Sequence, residues 1–195
     1  MFDFTYLDIS GSLGLVATGL LTFNFLLGMM LSTAYKKTAY WNKMPAAVKK
    51  ISIDDLHNWT AYVALLFVVL HPMFLLLDET QHFTLTDVLW PVNAPKQSSV
   101  VLLGAISFYA LLIVMITTQK IIKKKMSFRL WKNIHLISYG TALLFLVHGL
   151  LMDPLLKDRP VDWLDTEKFF SAFCLLLFLV AGVLRIRYHF RNKTN

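Results

Sequence analysis

Four of the six histidines lie inside apolar stretches. His57 and His71 bracket "HNWTAYVALLFVVLH", and His135 and His148 bracket "HLISYGTALLFLVH". Ionisable side chains at membrane depth are costly and mark function. A neutral imidazole there has one good use, as a metal ligand. At 1.5 Å per residue, the spacings of 14 and 13 each correspond to a rise of roughly 20 Å, so each segment offers ligands at two levels. Two parallel segments of this kind make two facing pairs, each able to supply the axial ligands of one six-coordinate heme. A tetrahedral zinc site needs its ligands clustered within a few ångströms, which the two levels do not offer. The rival reading is that the histidines pack helices through hydrogen bonds or relay protons. A relay needs polar groups between the levels, yet Val63–Leu70 is wholly apolar. His82, in a loop, and His189, in a basic tail, read as solvated groups, with a place near an outer electron acceptor as the other option for His82. Cys174 is the single cysteine. It forms no intramolecular disulfide or CxxC pair and reads as a small apolar packing residue.

The elements that must position these rings are membrane helices. The chain of 195 residues is 56% hydrophobic, with 15 phenylalanines, which is too apolar for an ordinary soluble domain. Stretches near the ~20 residues needed to cross a bilayer predict an all-α bundle of five spans, at about 12–34, 57–77, 98–118, 134–152 and 169–188. We expect one domain over 1–195. The first span lacks a basic leader and is too long for a signal core, so it reads as a retained helix. Fifteen of the 19 basic residues fall in 35–56, 119–133 and the tail, while ten of the twelve acidic residues fall in the alternate segments. The positive-inside rule then places the N-terminus outside and the C-terminus in the cytoplasm. His57 and His135 become the inner pair, and His71 and His148 the outer pair. The basic segments flank spans and carry no nucleic-acid motif, so no nucleic-acid partner is expected. Ala61, Ala64, Gly140, Ala142 and Gly149 are candidates for making room between helices. Pro72 is expected to bend the second span. One mismatch stands out: 14 residues keep His57 and His71 on one face, but 13 turn His148 well away from His135. Either the two sites sit at different azimuths or the fourth helix is distorted.

The stretches "LHNWTAYVALLFVVLHP" at 56–72 and "LWKNIHLISYGTALLFLVHG" at 130–149 resemble the ferric reductase-like transmembrane domain. That domain is shared by NADPH oxidases, ferric reductases and the heme-binding subunit of a bacterial periplasmic methionine sulfoxide reductase. The similarity spans about residues 15–190, and its specific motifs are the histidine spacings and W-x-x-x-H-x-x-x-Y at Trp131, His135 and Tyr139. The resemblance implies two heme b groups, the inner held by His57 and His135 and the outer by His71 and His148. Electrons would pass from the cytoplasmic face to an outer acceptor: ferric iron, oxygen or a periplasmic redox protein. It implies residence in lipid, in a bacterial cytoplasmic (inner) membrane. The family pattern has six spans with histidines on the third and fifth, whereas here they fall on the second and fourth. The oxidases carry a fused flavin and nicotinamide domain, and no such signature appears here. A separate cytoplasmic flavin reductase, or reduced flavin itself (FAD or FMN) at the inner face, is therefore implied as donor. In the methionine sulfoxide system the inner histidine of the first pair is not required, yet His57 is present.

Heme propionates need donors at both faces. Arg129 and Lys132 are candidates inside, and Lys157 and Arg159 outside. Lys123–Lys125, with Arg129 and Lys132, would attract an acidic partner or a flavin phosphate. A quinol-linked b-type cytochrome is the alternative within redox chemistry, with Asp54, Asp55 and Tyr62 as possible proton acceptors.

Overall fold

The computed structural model describes residues 5–152 and 165–191, and every long element among them is a helix. Five helices are long and apolar enough to cross a membrane. We number them α1 (Tyr6–Leu31), α2 (Ile53–Leu76), α3 (Ser98–Thr118), α4 (Phe128–Leu151) and α5 (Thr166–Arg191). Short helical turns join them, such as Ala39–Lys43, Leu85–Leu89 and Lys120–Lys123.

The five expected spans are all present, but four start earlier than hydropathy predicts, α5 by three residues. α1, α2 and α4 begin four to six residues ahead of the expected 12, 57 and 134 because each has a side-chain cap. Thr5 forms a reciprocal capping box with Asp8, Ser52 accepts from the Asp55 amide, and Ser127 accepts from the Leu130 amide. Hydroxyls here satisfy free amides of the first turn, so the helices extend past their apolar stretches into polar sequence. α2 continues through Pro72 to Leu76.

α1 is the hub. It packs along α2 and also meets α4 and α5, while α3 packs along α4. Met29, Ala142, Leu146, Cys174 and Phe178 form one core where α1, α4 and α5 meet, with the Phe25 ring edge-on to Phe178. Leu21, Ala64, Leu111 and Met115 form a second among α1, α2 and α3. Leu7, Leu75 and Phe83 close one end. At the opposite end, Tyr188 Oη accepts from the Ala34 amide at 3.1 Å and Arg185 Nε donates to Ser32 Oγ at 2.5 Å. These bonds gather the C-terminal ends of α1 and α5.

α2 and α4, the two histidine-bearing helices, barely touch. Each is packed against a different partner, so a gap runs between them.

Candidate functional site

Across that gap the four rings pair as the parallel arrangement predicts. His57 and His135 face each other with ring centroids 6.4 Å apart and planes at 73°. His71 and His148 do so at 6.5 Å and 74°. Ring bonds of ~1.33 Å put an imidazole nitrogen ~1.1 Å from its centroid. A metal–imidazole bond adds ~2 Å. Two imidazoles on opposite sides of one metal ion therefore have centroids ~6.3 Å apart. Both pairs stand at about that separation, neither in van der Waals contact nor too far apart to share an ion.

Three of the rings are fixed by one device, repeated. His71 Nδ1–H donates to the Ser10 carbonyl at 2.7 Å, His57 Nδ1–H to the Asn24 carbonyl at 3.1 Å, and His148 Nδ1–H to the Val100 carbonyl at 2.8 Å. A carbonyl only accepts, so each bond sets the tautomer and leaves the Nε2 lone pair free for a metal. One helical turn beyond each carbonyl stands a glycine against the ring. A Cβ on Gly14 would lie 3.0 Å from His71 Nδ1, one on Gly28 3.2 Å from His57 Cε1, and one on Gly104 2.8 Å from His148 Cε1. The two sites on α1 are also reciprocal. Ser10 Oγ donates back to the His71 carbonyl at 2.8 Å, and Asn24 Nδ2 to the His57 carbonyl at 2.6 Å.

His135 has none of this. Its Nδ1 is buried without a hydrogen-bond partner, as is Trp131 Nε1. The ring instead stacks on Trp131, centroids 5.3 Å apart and planes at 21°. α4 is an uninterrupted α-helix, so the 13-residue spacing turns His135 ~140° from His148. The mismatch is therefore accommodated by azimuth, without a change of helix type. His148 reaches toward α3, and His135 leaves from another side.

A cavity of about 1230 Å³ opens between the helices, with His71 and His148 in its wall beside Gly14 and Gly104. It is larger than the ~300–1,000 Å³ of ordinary small-molecule pockets. Lys168 of α5 also lines it, only 3% exposed, with Nζ donating to the Leu150 carbonyl at 2.7 Å and to the Met152 carbonyl. Among the described residues no three His, Cys, Asp or Glu side chains converge on one point.

The remaining candidates separate. Arg129 and Lys132 are exposed in the first turns of α4, near the His57–His135 level. Lys157 and Arg159 lie outside the described residues. Tyr62 is bonded to Gln119, and Asp54 and Asp55 are exposed in the first turn of α2. His82 is an exposed loop residue with φ of 55°, and His189 is exposed at the end of α5 beside Phe190. Of the small residues expected to admit a cofactor, Gly149 lines the cavity, while others are elsewhere employed. Ala64 and Ala142 are core residues, and Gly140 has nothing nearby. The glycines that meet the rings are on α1 and α3.

The sequence model of the ferric reductase-like transmembrane component matches residues 13–147, or 135 of the 195. The chain belongs to this family. It is an integral membrane protein and a membrane electron-transfer component of the ferric reductase-like kind. The match contains His57, His71 and His135 and ends one residue before His148. Comparison with curated proteins gave no significant match.

Proposed function

We propose that this ferric reductase-like protein is a di-heme b-type cytochrome. His57 and His135 ligate the inner iron, and His71 and His148 the outer. The observation that carries this is the pair of facing imidazoles at 6.4 and 6.5 Å, held between two helices that do not pack on each other. When bound, each heme supplies reversible one-electron chemistry, and two ligands per iron leave no site for oxygen on the metal. The protein supplies placement. The α1 carbonyls of Ser10 and Asn24 and the α3 carbonyl of Val100 hold three rings by Nδ1–H and aim Nε2 into the gap. The apolar interval from Val63 to Leu70 offers no polar bridge for protons between the levels.

The His57–His135 end is the basic end. Lys123 lies over Trp131 there, and Arg185 and Tyr188 close on the Ser32–Ala34 turn that leads into Lys36 and Lys37. By the positive-inside rule this end faces the cytoplasm. It is where a flavin reductase or reduced flavin delivers electrons. The opposite end hands them to an external acceptor. Lys168, at the wall of the outer cavity, joins Arg129 and Lys132 as a candidate cation for a propionate.

The test is heme content per chain of detergent-purified protein, with reduced-minus-oxidised spectra. Two low-spin b-type hemes are expected, falling to one in His71→Ala and in His135→Ala. Absence of heme after expression with ample heme supply, or full retention in both variants, refutes the assignment.

A further inference from the structure

Three rings are each fixed by a carbonyl and admitted by a glycine one turn away, while the fourth has neither. The register of α3 against α4 explains why. Gly104 lies against His148, and the helices run antiparallel, so thirteen residues along α3 the partners of His135 would be Ile113 and Thr117. The Ile113 side chain is half exposed, on the far side of α3. Its carbonyl is occupied by Thr117 Oγ1 at 2.8 Å. The position corresponding to the glycine thus carries a side chain, and the position corresponding to the acceptor carbonyl is already bonded. α3 cannot serve His135.

What His135 has is one residue of its own helix. Trp131, four positions earlier, is stacked on it nearly parallel, and Lys123 Nζ lies 3.8 Å from the indole centroid. Phe128 flanks the indole at 5.8 Å. The sequence runs Lys123, Trp131, His135 from the basic surface turn to the half-buried ring.

We propose that Trp131 is the positioning residue of His135, its stacked indole, clamped by Lys123, doing for this ring what a backbone carbonyl does for the other three. The proposal rests on the reading that His57 and His135 hold a heme. Stacking fixes the plane of a ring but lacks the directional bond that orients a ligand and raises its basicity. The inner heme is therefore the more weakly held of the two, and its retention depends on residue 131. The outer heme does not.

The experiment uses full-length protein in detergent, with wild type, Trp131→Leu and Trp131→Phe compared. Two readouts are taken: the ferric low-spin EPR signals, and the rate at which each heme passes to an excess of apo-myoglobin. His135→Ala and His71→Ala identify which signal belongs to which pair. Trp131→Leu is expected to shift or broaden only the inner signal and to release the inner heme roughly 2- to 10-fold faster. Trp131→Phe, which keeps a stacking ring, is expected to restore both readouts toward wild type. Unchanged inner release in Trp131→Leu overturns the proposal, as does equal acceleration of both hemes, which would mean a general loss of packing. Failure of Trp131→Phe to restore the signal also overturns it. A wild-type protein with no heme at the His57–His135 pair fails earlier and differently, because it removes the underlying di-heme reading as well.

Discussion

Substituting Gly104 with alanine should loosen the outer site while leaving the inner one intact. The added Cβ would stand 2.8 Å from His148 Cε1, 3.0 Å from Nδ1 and 3.2 Å from Nε2. Comfortable contact between such atoms is ~3.5–4.0 Å. The ring must therefore retreat from α3 by about 0.7 Å to restore it. Retreat stretches the 2.8 Å bond to the Val100 carbonyl to or beyond its useful limit, and it crowds the ring toward His71. Overpacking of this kind costs ~1–3 kcal/mol, and the weakened hydrogen bond adds ~0.5–1.5 kcal/mol. Against these stands the gain from replacing a helical glycine by alanine, ~0.8–1.0 kcal/mol. The net loss is about 1–3 kcal/mol in outer-heme retention, or roughly 5- to 150-fold in affinity. The other glycines provide a graded series. Gly14→Ala places its Cβ 3.0 Å from His71 and should be milder, and Gly28→Ala, at 3.2 Å from His57, milder still and confined to the inner heme. Gly140→Ala and Gly182→Ala meet nothing within 4 Å and should be neutral or slightly stabilising. The assay is heme transfer to apo-myoglobin together with bound heme per chain. Gly104→Ala that holds the outer heme as tightly as Gly140→Ala does would refute the reasoning.

Three further outcomes follow from the same geometry. The ring planes stand at 73° and 74°, and if both rings of a pair contain the iron–nitrogen axis that angle is their mutual twist. Both ferric signals should then be of the strongly anisotropic low-spin type that crossed imidazoles give, and a rhombic pair of signals would count against the geometry. Asn24→Leu keeps the backbone carbonyl that holds His57 but removes the Nδ2 donor to the His57 carbonyl and to Thr60 Oγ1 at 2.8 Å. It should lower stability by ~1–3 kcal/mol, seen as a reduced thermal midpoint in detergent, with two hemes still bound. Asp78 lies beyond α2. Its carboxyl is held below the usual carboxylate range foremost by the Thr80 hydroxyl, then by the Thr80, Leu7 and Gln81 amides, with burial opposing. A depressed carboxyl contributes stability above its unfolded value of ~3.9 and loses it as pH falls through the folded value. Asp78→Asn should therefore cost ~1.5–3 kcal/mol at pH 7, and the gap to wild type should narrow in unfolding measurements as pH falls below about 4.

The histidine pairs were legible because side-chain identity and helical rise are both written in the sequence. The residues that hold those rings were not, and the reason is chemical. The acceptors are main-chain carbonyls of Ser10, Asn24 and Val100, and any residue type supplies a carbonyl. Only the glycines left a trace. Gly14 and Gly28 are 14 apart, matching the 14 between His57 and His71 on the antiparallel neighbour, as do Ser10 and Asn24. Small residues within the histidine-bearing spans are a poor guide, because a ring is admitted by the helix it leans on. Helix starts are not legible for a related reason, since hydropathy does not register a hydroxyl cap such as Ser52 or Ser127.

The spacing of 13 was legible as an anomaly, and the structure gives it a consequence. Fourteen residues would leave His135 ~40° from His148, as on α2, facing the helix that anchors its partner. Thirteen turn it ~140° away, onto an indole that also meets Lys123 of the basic surface turn. His135 is thereby coupled to a surface cation, while the other three rings are coupled to the buried backbone. Under the proposed reading, a donor that docks by drawing Lys123 into an ion pair would act on its contact with Trp131, and through it on His135. Among the described residues, the Nδ1 of His148 ends instead at a main-chain group, the Val100 carbonyl.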